Sequence, residues 1–179
     1  MEPVNGRIPQ REPQSHMPVA LNLVSSEKEQ VIIGSACKDL EFAEEAARIL
    51  EANEFWFDRN RYMFMAVSYV ATETHEPPDP VTITKVANNF AKRDGQPFRF
   101  PIDGSEIAAL PCDVPAARGA ISVIKSDAVH RQMSSFAEWL VRELPFSTNA
   151  AAMVAEAAQR FENIKPKRMT SSVTLGTEL

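Results

Sequence analysis

The sequence predicts an all-α protein, a compact helical bundle followed by a long antiparallel helical hairpin. Three observations predict it. Apolar residues recur at helical spacing through most of the chain, no alternating run of strand length stands out, and prolines fall at the ends of the periodic segments. There is no internal repeat and no low-complexity tract. The resulting division is a disordered arm over 1–25, a globular bundle over 26–113, a hairpin over 114–166 that carries oligomerisation, and a linker or tail over 167–179.

The hairpin organises the rest. Pro115 suits a first helical turn, where its missing N–H would be unbonded anyway, and the helix it opens runs to about Leu144, some 45 Å at about 1.5 Å per residue. Pro145-Phe146-Ser147-Thr148 breaks it, and a second helix runs from about Asn149 to Ile164 before Pro166. The long helix carries two apolar stripes. Ala117, Ile121, Ile124 and Ala128 form the first; Val129, Met133, Phe136, Leu140 and Leu144 form the second, displaced by about 130° at about 100° per residue. The first predicts packing on the bundle. The second predicts packing on the returning helix, whose face is Ala150, Val154, Ala157 and Phe161, and on another chain. Trp139 and Val141 lie outside the second stripe and point to the same further partner.

Taken in order, Met1 to Ser25 contains four prolines and little periodicity. Ser26-Glu27-Lys28-Glu29 reads as a capping box opening a first helix over about Glu27 to Cys37, with Gly34 marking a close helix crossing. Asp39 caps a second helix, with Phe42, Ala46, Ile49 and Leu50 inward and Glu41, Glu44, Glu45 and Arg48 outward. Phe55-Trp56-Phe57 makes an aromatic corner, and Asp58 caps a third helix whose apolar residues are too many for one stripe, so that it is central. After the stiff loop His75 to Pro80, Thr82 caps a fourth helix, which ends at Lys92-Arg93-Asp94-Gly95. Asp103-Gly104-Ser105-Glu106 opens a short fifth helix.

Composition and motifs then restrict function. At 179 residues with 44% hydrophobic and 24% charged content, the chain can hold one soluble core. No apolar run approaches the roughly 20 residues of a membrane span, and the first residues lack a signal-peptide core, so the expectation is a cytoplasmic protein. A net charge of −5 argues against a broad nucleic-acid-coating surface, and Lys165-Pro166-Lys167-Arg168 reads as a solvated basic cluster. No glycine precedes Lys-Ser or Lys-Thr as a phosphate loop requires. His16, His75 and His130 lack second ligands at helical spacing, and Cys37 and Cys112 lack a metal-ligand pattern, so both read as reduced thiols. The expectation is no catalytic residue, no cofactor and no metal. Phe55 to Arg61 interleaves aromatic and basic residues like a stacking surface, but aromatics just before a helix favour a core corner.

Three segments in register carry a family resemblance: Glu27-Lys28-Glu29-Gln30-Val31-Ile32-Ile33-Gly34-Ser35, Glu54-Phe55-Trp56-Phe57-Asp58-Arg59-Asn60-Arg61, and Pro78-Asp79-Pro80-Val81-Thr82-Ile83 with Lys92-Arg93-Asp94-Gly95. Together with Ile107 to Leu110 and Val114 to Ala117, which lead into the long helix, they resemble the N-terminal domain of DnaB-type replicative DNA helicases over about Leu21 to Ile164. The resemblance implies a collar rather than a motor: hairpins pair between subunits, the pairs form a ring of threefold character, and the collar contacts primase or a helicase loader. DNA would be met only indirectly, through the helicase, and no membrane is involved. Two departures stand out. The ATPase motor of the family is absent, and the family's Gly-Gly turn after the fourth helix is replaced by Gln96-Pro97-Phe98-Arg99-Phe100. The expected function is therefore a non-catalytic assembly domain forming a homo-oligomer, a dimer or ring, through Val129, Met133, Phe136, Leu140, Leu144, Val154 and Phe161. The alternative is a stand-alone phage-type adaptor that binds a helicase or primase in trans.

Overall fold

The computed structural model describes residues 19–164 apart from 76, 97 and 100, with side chains from Ser26 onward, and among the described residues there are seven α-helices. They are α1 (Val19–Ala36), α2 (Leu40–Ile49), α3 (Asp58–Thr74), α4 (Pro80–Arg93), α5 (Gly104–Ala108), α6 (Val114–Glu143) and α7 (Ala150–Ile164), with 3-10 turns at Ala52–Glu54 and Leu144–Phe146. Among the described residues there is no strand, and the fold is all-α. Most of the expected arm, and all of the expected tail, lie outside the described residues.

α3 is the core of the bundle, as its surplus of apolar residues predicts. Tyr62, Met63, Phe64, Ala66, Val67, Val70 and Ala71 are all buried, and α1, α2 and α4 pack around them. α1 contributes Ile32, Ile33 and Ala36, α2 contributes Phe42, Ala43 and Ala46, and α4 contributes Ile83, Ala87 and Ala91. α6 closes the bundle with its first stripe: Ala117, Ile121, Ile124 and Ala128 are all buried, chiefly against α1. Phe55 stacks on Phe64 with centroids 4.5 Å apart, so the aromatic corner is a core anchor.

Side-chain caps place the helix starts. Asp39 accepts from Phe42 N–H at 2.9 Å, and Asp113 accepts from Ala116 N–H at 3.0 Å with Pro115 in the first turn behind it. Asp103 accepts from Glu106 N–H at 2.9 Å, but the box is not closed, because the Glu106 side chain turns to Arg59 Nε at 2.6 Å. At the end of α4, Gly95 has φ +71°, a conformation that favours glycine. Asn88 stitches the following loop to α4 by an amide pair, donating to the Ile102 carbonyl at 2.8 Å and accepting from Ile102 N–H at 3.0 Å.

Several local expectations are corrected. α4 starts at Pro80 and is capped by Asp79, not Thr82: the Asp79 carboxylate accepts from Val81 N–H and Thr82 N–H at 2.9 and 3.0 Å, and proline fits the first turn. Hydrogen bonding to Thr82 holds Asp79 below the ordinary carboxylate range. Asp58 is the first residue of α3 rather than its cap, a position held by Phe57 without a side-chain bond. α1 begins at Val19, ahead of Ser26, so the serine lies inside a helix. No proline or glycine occurs between Pro18 and Gly34 to stop that helix sooner, and Glu29 is engaged elsewhere.

Gly34 marks a close approach, but to a loop instead of a helix. A Cβ built there would lie 2.2 Å from the Pro111 carbonyl oxygen. The same contact is pinned by Asp113 N–H donating to Ser35 Oγ at 3.0 Å, so the segment before α6 cannot simply move away. Gly34→Ala should therefore lose about 2 kcal/mol through overpacking, even though alanine favours a helix interior by about 1 kcal/mol. Urea unfolding followed by circular dichroism measures this; an unchanged or raised midpoint would contradict the packing.

Candidate functional site

The second half of α6 leaves the bundle, and α7 folds back along it. Phe136 meets Phe161 with centroids 6.0 Å apart, and the Arg160 guanidinium lies over the Trp139 ring at 4.2 Å. Asn149 caps α7 by accepting from Ala152 N–H at 3.1 Å. Later residues of α7 thus sit beside earlier residues of α6, the order of an antiparallel pair.

Burial within this pair is lopsided. No residue of α7 is buried. Met153, Ala157 and Ile164 are half-covered by α6, whereas Val154 is 68% and Phe161 42% exposed. On α6, Val129, Phe136 and Leu140 are half-buried, Met133 is exposed, and Leu144 is 61% exposed. Phe136 and Phe161 therefore meet each other inside the chain, while Met133, Leu144 and Val154 keep much of their surface. Two further apolar residues lie in the open: Val141 on α6 and Phe146 in the 3-10 turn. The expected site residues did not include them.

Trp139 corrects the sequence reading. It is buried and stacked with Phe136, so it serves the hairpin itself, not a further partner. The signal was a longer period. Trp139 follows Ala128 by eleven residues, about three full helical turns, and so continues the first stripe. That stripe is hidden between them by the polar residues Arg131 and Ser135.

Polar groups fix the hairpin's direction at its root. Lys125 Nζ donates to the Ile49 carbonyl at 2.7 Å and to Glu54 Oε1 at 3.0 Å. Arg131 Nη2 donates to the Glu54 carbonyl, and its guanidinium lies over the Trp56 ring at 5.2 Å. Burial lowers the Arg131 pKa from its ordinary value, against the pull of Glu29, Asp127 and Glu54. Beneath Trp56 lies the fully buried Glu29. Its carboxylate accepts from Trp56 N–H at 2.5 Å, from Phe57 N–H at 3.4 Å and from Asn60 Nδ2 at 2.8 Å. Those backbone N–H groups belong to the two residues that lead into α3, and Asn60 lies in its first turn, so a side chain from α1 anchors the entry to a helix that has no side-chain cap of its own.

Burial raises the Glu29 pKa above 4.5 despite these donors. A carboxyl whose folded pKa lies above its unfolded one contributes stability that is complete below about pH 4.5 and is lost as pH rises through the folded value. The unfolding midpoint of the native chain minus that of Glu29→Gln should therefore fall as pH rises from 4.5 toward 8, the other carboxylates cancelling in the difference. A flat difference would show that this carboxyl does not titrate with folding.

Among the described residues no helix is long and apolar enough to cross a membrane, and no group of three or more His, Cys, Asp or Glu side chains converges as metal ligands. No curated protein matches the chain. Residues 22–96, from α1 to the turn after α4, match the family model described as DnaB-like helicase N terminal domain; α5 and the hairpin lie beyond the matched span.

Proposed function

We propose, from the match of residues 22–96 to the DnaB-like helicase N terminal domain, that the chain is a non-catalytic assembly domain associated with a helicase of DNA replication and that its hairpin joins it to a second copy. One observation carries the proposal: α7 has an apolar face and not one buried residue. Isolated helices of about 12 to 15 residues are marginal in water, so a 15-residue helix of this kind draws its stability from cover on that face.

The placement of the open apolar residues supports one position for that cover. At about 100° per residue, Met133, Ala137, Val141 and Leu144 fall on one flank of the α6 line facing α7. Ala151, Val154 and Ala158 fall on the corresponding flank of α7. In an antiparallel pair, equal rotations from the facing line carry both sets to the same side. The open apolar residues thus form one strip along the hairpin, with Phe146 at its tip. An isologous pair of such strips would bury them mutually and give the dimer from which a ring is built. In this reading the paired hairpins are the collar, and the bundles they hold present the surface that meets primase or a loader.

Sedimentation equilibrium of the full chain should reveal a dimer or larger assembly. Leu144→Glu with Val154→Glu should weaken association at least about tenfold, since charges would face an apolar partner, while helix content stays unchanged. Phe136→Glu should instead loosen α7, because that ring packs within the chain. A native chain that remains monomeric at high concentration would overturn the proposal.

A further inference from the structure

On the opposite flank of the hairpin from the apolar strip, an open cleft of about 590 Å³ lies between α6, the end of α7 and the corner at Asn53 and Trp56. Its chemistry differs from that of the strip. Arg131 and Arg160 line it, and each guanidinium lies over a tryptophan that also lines it, Trp56 at 5.2 Å and Trp139 at 4.2 Å. Phe136 and Ile164 supply apolar wall, and amide side chains with the Ser135 hydroxyl supply the rest of the polar lining. Among the described residues no carboxylate lines the cleft.

We propose that this cleft takes an acidic peptide segment of a partner protein, with carboxylates on the two guanidiniums and an apolar side chain between them. Charge complementarity is the first ground: two arginines, fixed in place by their indoles, line a concave surface that has no acidic lining residue. The Arg160 guanidinium also has donors to spend. A guanidinium has five N–H donors, and Glu156 Oε1 engages Arg160 through Nε and Nη2 only, at 3.1 and 2.8 Å. The second ground is what the cleft is unsuited to. Single-stranded nucleic acid is held by stacking bases on open aromatic faces, but Trp139 is 8% exposed, with Arg160 on its face and Phe136 beside it, and Arg131 lies over Trp56. The third is composition. Arginine and tryptophan around a partly apolar pocket are the residue types that dominate peptide anchoring.

The cleft does not depend on the dimer proposal, since Arg160 and Asn163 project from the side of α7 away from Val154 and Ala158. Its test can be read directly, because Trp56 and Trp139 are the chain's two tryptophans and both line the cleft. The full chain is titrated with a blocked pentapeptide alternating glutamate and leucine while tryptophan fluorescence is followed. The expected result is a saturable change that weakens with salt, about tenfold weaker in Arg160→Gln and lost in the double variant Arg131→Gln, Arg160→Gln. Arg160 is exposed, so the single variant keeps the fold, and circular dichroism checks this. The same peptide with lysine for glutamate should produce no response. No saturable change, an affinity untouched by Arg160→Gln, or an arginine-dependent response to oligothymidylate in place of the acidic peptide would each overturn the proposal.

Discussion

Everything outside the bundle is carried by one unbroken helix. α6 runs 30 residues from Val114 to Glu143 as one helix with no proline beyond its first turn and with its one glycine, Gly119, in the half packed on the bundle, so the direction of its free half is that of its buried half. The buried half is fixed by small and branched residues, Ala117, Ala120, Ile121 and Ile124, which bring α6 close against α1. Beyond Ala128 apolar packing on the bundle ceases, and two cations take over. Lys125 and Arg131 both reach the segment around Ile49 to Glu54, where they donate to backbone carbonyls at the end of α2 and in the 3-10 turn. The hairpin's aim is thus set by helix continuity and by charge-assisted bonds to carbonyls, neither of which requires α7.

Glu29 completes that root from below. Its carboxylate ties down the two residues that lead into α3, and it fixes Trp56 at the level where Arg131 crosses. Burying a carboxylate is costly unless donors surround it, and here two backbone N–H groups and an amide do so. The corner therefore links three elements through one group: α1 through the Glu29 backbone, α3 through its first turn, and α6 through Arg131. A change there alters the hairpin's direction as well as the bundle's stability.

How much of this was legible depended on whether the signal was local. The order of the helices, the caps at Asp39 and Asp103, the centrality of α3 and the glycine ending α4 follow from residues within a turn or two of each other, and the structure has each of them. The errors arose where one residue fits two local roles. Ser26 to Glu29 has the spacing of a capping box, but Glu29 bonds to residues 27 and 28 positions away, a pairing no window of sequence displays. Pro78-Asp79-Pro80 reads as stiff loop, and the second proline is a helix start only because Asp79 precedes it. Gly34 announced a close approach without saying that Pro111 makes it. For the assembly site, the second stripe named residues that lie on the hairpin, but half-buried Phe136 and exposed Leu144 are both large and apolar, and their difference in burial depends on where α7 lies.

That difference is the physical content of the hairpin. Rotating about α6 from Arg131 through Trp139 and Phe136 to Leu144 and Val141 passes from a cationic cleft, through the seam with α7, to an open apolar strip. A helix pair two layers thick cannot bury its own outer flanks, so its two sides remain available and are chemically unlike: one accepts charge, the other excludes water. Because α7 draws little burial from α6 alone, covering either flank adds to the stability of the same helix.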